Sequence, residues 1–297
     1  MISYLISVGI FGCFYGLLAM GLSIQWGMAG LVNFGQVAFF ALGAYGSAVL
    51  SLNGVPIYLS IPAGMFLAGL VGALLATTTL RLREDYLALV TLGLGEVVRL
   101  IAVNEMWLTG GAAGLPGVPR IFPYATTQFD GLWFLLLALL AVAVTYAVLE
   151  VTGRSPFGRV LKAIREDEAV PRSLGRNVFS FKVQAFATGA VIAGLAGALF
   201  AHHLSLVAPD QFLPVVTVYA WIAVMLGGQG NHLGAFIGAL CLMAILELTR
   251  FGKDLLPFLE NEQLAAARII IVGVLLVSLV KFCPDGVMKK IRKPKNA

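Results

Sequence analysis

Charge is the scarcest feature of this 297-residue sequence. Only 12% of the residues are Asp, Glu, Lys or Arg, against about 25% in ordinary soluble domains. No acidic residue, basic residue or histidine occurs before Arg81. That stretch is several times longer than the roughly 20 apolar residues that one membrane-spanning helix needs. The composition therefore excludes an ordinary soluble domain and predicts one all-α, polytopic membrane domain over residues 1–297.

Motifs that carry chemistry are lacking as well. The three cysteines form no CxxC pair, and His202, His203 and His232 lack the spacing of metal ligands. The sequence has no GxxxxGK[ST] loop for a nucleotide and no His/Asp/Glu cluster or Ser–Lys pair at one membrane depth. We therefore predict no metal site, no bound cofactor and no enzymatic activity of the chain's own. His202 and His203, at the outer end of the sixth segment, are interpreted as residues of the wet membrane interface; the alternative is a contact with the solute or with a docked protein.

Apolar windows bounded by Gly, Pro or charge predict about nine membrane segments, within a range of about eight to ten. The window at 214–226 is too short to cross about 30 Å of hydrocarbon as one straight helix. We expect it to be broken or re-entrant and therefore shielded by protein. The windows are about 2–25, 30–52, 57–80, 86–103, 131–149, 182–206, 214–226, 231–249 and 264–281.

The distribution of Lys and Arg predicts the orientation. If nine segments alternate, the junctions 81–85 and 151–181 and the tail 282–297 lie on one face. With the residues at its edge included, that face holds 15 of the 20 basic residues. The positive-inside rule makes it cytoplasmic, so that the N-terminus and the loop 104–130 are external and the C-terminus is cytoplasmic. The basic tail is expected to anchor at anionic headgroups rather than to bind nucleic acid.

The segment 155–177, SPFGRVLKAIREDEAVPRSLGRN, has the local signals of a helix pair. Ser155 suits an N-cap, and Pro156 suits the first helical position. Pro171 is expected to end the first helix and Gly175 to cap a second, short one. The first helix is amphipathic, with one apolar stripe at helical spacing formed by Phe157, Val160, Leu161 and Ile164.

Two interpretations of this pair remain open on the pattern alone. An apolar stripe at the cytoplasmic face suits a helix that lies among lipid headgroups. It suits equally a docking element, through which a separate ATPase would move a chain that has no nucleotide-binding loop of its own.

A series of motifs runs in order through most of the chain, from about residue 16 to 282. They are GLVNFGQVAFFALGAYGSAV, REDYLALVTLGLGEVVRL, TGGAAGLPGVP, the 155–177 segment, AFATGAVIAGLAGALFAHHLSLVAPDQF and AVMLGGQGNHLGAFIGA. Together they resemble the membrane permeases of branched-chain amino acid ABC importers, in particular the LivM-like branch. Urea and short-chain amide permeases are similar.

In such permeases the cytoplasmic segment is a coupling helix that is seated in a groove of the ATPase subunit. The chain departs from the family at Val170-Pro171, where relatives usually have an Ala-Ala pair. The resemblance implies a contact with the ATPase for Arg159, Ala163, Arg165, Glu166, Glu168 and Gly175.

The resemblance also implies an assembly in the bacterial inner membrane. A periplasmic binding protein delivers the substrate, a branched-chain or related small neutral amino acid. Two ATPase subunits hydrolyse ATP-Mg, and a LivH-like second permease completes a heterodimer. The alternatives are a urea or short-chain amide permease and an ion-coupled secondary transporter. The last would need acidic residues at mid-membrane, for which Glu96 is the one obvious candidate.

Glu96 has a basic neighbour in the same segment. Arg99 follows three residues later, so that the two side chains share a helix face and can form an intramembrane ion pair. The sequence ELTR at 247–250 repeats this spacing. Structural ion pairing and gating of a substrate path are both consistent with the pattern.

Two Gly-rich junctions, GMAGLVNFGQ and LGGQGNHLGA, predict the substrate path. Broken helices expose backbone polar groups, which lipid does not tolerate and a polar solute can use. Asn33, Gln36, Gln229 and Asn231 would offer neutral hydrogen bonds there. Close packing of helices through small residues explains the same glycines equally well. The scarcity of charge inside the segments favours a small solute without net charge.

Overall fold

The computed structural model describes residues 2–80, 84–122 and 130–255, together with residues 270, 273–274, 277–278 and 281. Apart from one antiparallel pair of two-residue strands, the ordered elements of this part are helices. In chain order they are α1 (Ile2–Leu22), a π-helix (Ser23–Met28), α2 (Gln36–Leu52), α3 (Ile57–Thr79), α4 (Glu84–Asn104), α5 (Met106–Thr109), a 3₁₀ turn (Gly111–Ala113), β1 (Leu115–Pro116), α6 (Asp130–Arg154), α7 (Pro156–Glu166), α8 (Ala169–Ser173), α9 (Val178–Leu204), β2 (Leu206–Val207), a 3₁₀ turn (Pro209–Gln211), α10 (Val215–Gly227) and α11 (His232–Leu255).

The first eight predicted segments each coincide with an apolar helix. Six helical stretches of the described part are long and apolar enough to cross a membrane, and two apolar helices, α2 and the first part of α11, are shorter. The ninth predicted segment, 264–281, lies almost wholly outside the described residues, as does the tail 282–297. The chain is an all-α, polytopic membrane protein.

The second helix begins later than predicted. Residues 30–35 form a non-helical break, so that α2 starts at Gln36 rather than near residue 30. Gly30 adopts a left-handed backbone with φ of 73°. The Asn33 side chain accepts a hydrogen bond from the Gly35 amide at 2.8 Å. Both features compete with helical hydrogen bonding and place a polar break between α1 and α2.

Helix α10 is short. Its 13 residues rise about 20 Å at 1.5 Å per residue, which is less than the hydrocarbon thickness. The turn before it extends the apolar stretch to 19 residues, 209–227. Residues 220–224 are all buried, so protein covers the middle of this helix.

The centre of the bundle is formed by α1 and α9, the helices whose membrane-length stretches are most buried. Helix α9 packs against α2, α3 and α1. In contrast, α3, α4 and α6 expose large apolar side chains, including Phe66, Leu89 and Leu140. Such helices suit an apolar surrounding on the outside of the bundle.

Helices α2, α3 and α9 meet through glycines. A Cβ atom on Gly43 of α2 would lie 2.2 Å from the carbonyl oxygen of Gly194 in α9. A Cβ atom on Gly64 of α3 would lie 2.6 Å from the Gly43 carbonyl oxygen. The three helices therefore touch backbone to backbone, as small residues allow.

The end of the bundle away from α7 and α8 carries a cover formed by residues 105–122. Strand β1 of the cover pairs with β2, with Leu115 opposite Val207. His202 of α9 is buried, with Nδ1 2.7 Å from the Pro119 carbonyl oxygen and Nε2 2.8 Å from Ser47 Oγ. Because a carbonyl oxygen only accepts, Nδ1 carries the proton. The interpretation of His202 as a wet-interface residue is therefore wrong, since this side chain fastens the cover to the bundle.

Gly43→Ala is expected to destabilise the bundle, because the added methyl group would enter the backbone of α9. Overpacking of this kind costs about 1 to 3 kcal/mol of unfolding free energy, which would lower the thermal unfolding midpoint in detergent. Gly93→Ala in α4 is the matched control, because a Cβ atom there meets nothing within 4 Å. Its midpoint should equal or exceed that of the wild type. Equal midpoints for the two variants would contradict the backbone contact.

Candidate functional site

The helix pair predicted at 155–177 is present as α7 and α8, which together form the helical hairpin. Ser155 is the N-cap of α7, with its Oγ accepting from the Gly158 amide at 3.4 Å, and Pro156 occupies the first turn. Gly158 fits tightly behind α6, where a Cβ atom would lie 2.5 Å from the Thr152 carbonyl oxygen. Local capping signals and a close approach to α6 therefore fix the start of the hairpin.

The apolar stripe of α7 packs on the rest of the chain. Leu161 and Ile164 are almost fully buried. Phe157 stacks on Phe181 of α9, with ring centroids 5.4 Å apart and planes inclined by 23°. The stripe therefore holds the hairpin against the bundle instead of lying free for lipid headgroups.

The break between α7 and α8 falls at Asp167, and the prediction of a break at Pro171 is wrong. Asp167 has an extended backbone, φ −158° and ψ 117°, and its Oδ1 accepts from the Ala169 amide at 2.8 Å. Pro171 is buried inside α8. It lies in the first turn of that helix, where a missing N–H leaves no intrahelical hydrogen bond unmade.

The end of α8 has the cap that the sequence predicted. Gly175 has φ of 73°, and its amide donates to the Arg172 carbonyl at 3.0 Å, while the Arg176 amide donates to the Pro171 carbonyl at 3.0 Å. These are the two hydrogen bonds of a Schellman motif. The hairpin is thus capped at its start by the Ser155 side chain and at its end by its own backbone.

The six residues predicted for ATPase coupling occupy different surroundings. Arg159 and Glu166 are exposed, Ala163 is half-buried, and Gly175 is exposed at the cap. Glu168 turns back to the bundle and pairs with Lys182 of α9.

Arg165 also turns back to the bundle. Its Nη1 donates to the Gly27 carbonyl oxygen at 2.6 Å, and its Nη2 donates to Gln229 Oε1. The guanidinium thus reaches both Gly-rich junctions that the sequence predicted for the substrate path.

Two exposed apolar residues of the hairpin were missed by the sequence analysis. Val170 is 52% exposed and Leu174 is 75% exposed. They are four residues apart, the spacing of neighbours on one helix face. That spacing is visible in the sequence, but the predicted apolar stripe included residues of the first helix alone. Among charged neighbours, this pair presents apolar surface to the outside.

Asn33 and Gln36 lie in a buried cluster of amide side chains with Gln25. Asn33 Nδ2 donates to Gln25 Oε1 and to Gln36 Oε1, both at 2.8 Å. Gln25 Nε2 donates to the Phe186 carbonyl of α9 at 2.9 Å, and Gln36 Nε2 donates to the Gly189 carbonyl at 3.3 Å. Those carbonyls fix the orientation of both glutamine amides.

Two backbone groups of the 30–35 break also form hydrogen bonds with residues that are distant in the sequence. The Asn33 carbonyl accepts from Trp221 Nε1 at 2.9 Å, and the Phe34 amide donates to Thr91 Oγ1 at 3.0 Å. Phe34 stacks on Trp221, with ring centroids 5.0 Å apart. The break is therefore joined to both α4 and α10.

Gln229 and Asn231 lie at the second junction, between α10 and α11, and both are half-buried. Asn231 Oδ1 accepts from the Gly234 amide at 3.1 Å and so caps α11. The two junctions are in contact, because a Cβ atom on Gly27 would lie 2.6 Å from the Gly230 amide nitrogen. The two junctions thus meet at Gly27 and Gly230, whereas Asn33 and Gln36 belong to the amide cluster with Gln25.

Glu96 and Arg99 are hydrogen-bonded within α4. Arg99 Nε lies 3.1 Å from Glu96 Oε1 and 3.0 Å from Oε2. The side chains remain 41% and 22% exposed respectively. In the part of the chain that the structure describes, no group of three or more His, Cys, Asp and Glu residues has metal-site geometry. The side chains of the 247–250 repeat lie outside the described residues.

A helical bundle with buried polar breaks between its helices is typical of membrane transport proteins. Residues 4–279 match the family described as "Branched-chain amino acid transport system / permease component". The chain belongs to this family. The resemblance predicted from the sequence motifs is thereby confirmed, as is the permease class.

Three relatives illustrate the similarity. The chain is 33% identical to the high-affinity branched-chain amino acid transport system permease protein LivM of Escherichia coli, over 94% of this chain and 68% of the relative. It is 25% identical to a probable branched-chain amino acid transport permease protein LivM of Methanocaldococcus jannaschii, over 94% and 91%. It is also 25% identical to the nucleoside ABC transporter permease protein NupC of Lactococcus lactis, over 76% and 75%.

Asn33→Asp is expected to destabilise the amide cluster, because it replaces the shared donor with an oxygen that faces two acceptor oxygens. Each buried acceptor left unpaired costs about 1 to 3 kcal/mol of unfolding free energy. The loss of the donors to Gln25 Oε1 and Gln36 Oε1 therefore costs at least about 2 kcal/mol. The thermal unfolding midpoint in detergent would therefore fall. Asn53→Asp is the matched control, since Asn53 is exposed and its amide donates to the Val49 carbonyl of its own helix. An unchanged midpoint for Asn33→Asp would contradict the assigned hydrogen bonds.

Proposed function

We propose that this chain is the transmembrane permease subunit of an ABC importer that passes branched-chain or related small neutral amino acids inward. Separate ATPase subunits supply the energy, and a binding protein delivers the substrate. The observation that carries the proposal is the 33% identity to LivM over 94% of the chain. The few charged residues inside the helices agree with a solute that has no net charge.

The proposed orientation places α7 and α8 in the cytoplasm and the 105–122 cover outside. It rests on the 15 of 20 basic residues assigned to the hairpin side by alternation of the segments. The N-terminus is then external and the C-terminus cytoplasmic. The contact of Arg165 with residues 27 and 229 agrees with this arrangement, because it brings both Gly-rich junctions to the hairpin end of the bundle.

The proposed ATPase contact is the outward surface of the hairpin. The apolar pair Val170 and Leu174 is exposed, and the hairpin also exposes charged side chains, including Arg159 and Glu166. Apolar anchors with a polar rim are the usual composition of a protein interface. Because the apolar stripe of α7 is already buried, the hairpin meets its partner as a rigid element. ATP-Mg is held by the ATPase subunits and not by this chain.

The proposed assembly contains a second, LivH-like permease, and the family relationship alone supports that heterodimer. The substrate path is proposed to pass Asn33, Gln36, Gln229 and Asn231. Since the Asn33 and Gln36 amides are occupied with each other and with Gln25, opening the path to a solute requires that this cluster exchange partners. Glu96 and Arg99 are proposed to stabilise α4 as an ion pair.

The proposed function is tested by reconstitution into vesicles. Labelled leucine uptake is measured for the permease pair and binding protein, with and without ATPase subunits and ATP. Uptake of labelled urea and of labelled adenosine is measured in the same way, as tests of the alternative substrate classes. We expect leucine uptake only when ATPases and ATP are both present. Uptake driven by an ion gradient without ATPases would overturn the proposal, and ATP-driven uptake of adenosine or urea alone would overturn the substrate class.

Leu174→Asp is expected to weaken ATPase binding, because it places an unpaired charge where an apolar anchor would be buried. Loss of an apolar anchor that contributes about 2 kcal/mol of binding free energy raises Kd about thirtyfold. The Kd is measured by titrating the ATPase onto the detergent-solubilised permease. Leu174→Met keeps the apolar contact and is the matched control. The thermal unfolding midpoint of both variants should match the wild type, since the side chain is 75% exposed. If Leu174→Asp binds the ATPase as tightly as the wild type does, this surface is not part of the interface.

A further inference from the structure

The guanidinium of Arg165 connects three segments that are far apart in the sequence. It belongs to the last turn of α7, and its two terminal nitrogens reach in different directions. Nη1 lies 2.6 Å from the carbonyl oxygen of Gly27 in the π-helix, and Nη2 donates to Gln229 Oε1 between α10 and α11. A single side chain of the hairpin is thus bonded to both Gly-rich junctions.

Arg165 is exposed on one side and packs against the first junction on the other. Gly30 has a left-handed backbone, and a Cβ atom there would lie 3.3 Å from Arg165 Cγ. The Gly27 and Gly230 backbones are also in contact, with 2.6 Å between a Cβ position on Gly27 and the Gly230 nitrogen. The two junctions and the arginine therefore form one compact unit at the hairpin end of the bundle.

Resting on the proposed function, we propose that Arg165 is a positioning residue that transmits movement of the hairpin to both junctions at once. In the arrangement described here it holds the junctions together and keeps the hairpin end of the path closed. When an ATPase moves α7, the same hydrogen bonds displace the two junctions in concert. Arg165 then acts inside the permease, although the resemblance to the permease family implied a contact with the ATPase.

The chemistry of the site requires arginine. A planar guanidinium presents several N–H donors in a fixed fork and can bond two acceptors that lie in different directions. A lysine has one ammonium group on a flexible stem, so it retains the charge but not the fixed double contact. Hydrogen bonds that involve a charged donor are also stronger than neutral ones. Arg165→Lys is therefore the variant that separates charge from geometry.

The experiment uses the complete assembly in vesicles and measures leucine uptake per ATP hydrolysed, together with ATPase affinity. Arg165→Lys is compared with Arg154→Lys, a matched change at an exposed arginine that pairs with Glu150 at the end of α6. We expect Arg165→Lys to retain ATPase affinity and ATP hydrolysis while uptake per ATP falls about tenfold, as expected for the loss of one charge-assisted hydrogen bond. Arg154→Lys should match the wild type.

A further variant tests the Gln229 contact. Gln229→Ala removes one acceptor and should give a partial loss of uptake per ATP. If Arg165→Lys transports as much leucine per ATP as Arg154→Lys, the proposal is overturned. If Arg165→Lys instead loses ATPase affinity, Arg165 is a docking residue and the proposal is likewise overturned. An assembly whose wild-type form shows no ATP-driven uptake would refute the proposed function itself.

Discussion

The structure depends on one constraint, which is that a polar backbone group inside a hydrocarbon layer has to find its hydrogen-bond partner within the protein. Helices meet this requirement by themselves, but the break at residues 30–35 does not. Its Asn33 carbonyl and Phe34 amide are satisfied by Trp221 and Thr91, from helices far away in the sequence. The break therefore organises the packing of α4 and α10 around itself.

The same constraint explains why the polar side chains of the centre form a cluster. Gln25, Asn33 and Gln36 use their amides on one another and on carbonyls of α9. Gln25 lies in a π-helix, and such segments are frequent at functional sites. A buried polar group whose hydrogen bonds are formed costs little free energy, but it is held to one particular hydrogen-bond partner. Any solute that hydrogen-bonds there has to replace an interaction of equal kind.

Local sequence signals were enough to predict much of the fold. Apolar length placed eight helices, and Ser155, Pro156 and Gly175 marked the ends of the hairpin correctly, because caps act within one turn of their own helix. Pro171 misled the prediction, since proline breaks a helix interior but is tolerated in the first turn. The true break at Asp167 has no comparably strong local signal.

Long-range contacts were beyond the reach of these signals. The sequence predicts that Arg165 belongs to the first helix of the hairpin. Nothing near it in the sequence indicates that its partners are Gly27 and Gln229. Gln25 was missed for a similar reason, because the carbonyl that binds it belongs to Phe186, 161 residues later. His202 was misplaced because its partner Pro119 lies in the cover, which the sequence describes only as a loop.

The glycine contacts among α2, α3 and α9 differ in character from the contact between α11 and α1. Where Gly43 meets Gly194 and Gly64, two backbones touch with no side chain between them, so these points leave little room for adjustment. Helix α11 meets α1 through the side chains of Leu240 and Phe236 over Gly12 and Gly16. Side chains can change rotamer, so this second contact is the more adjustable of the two.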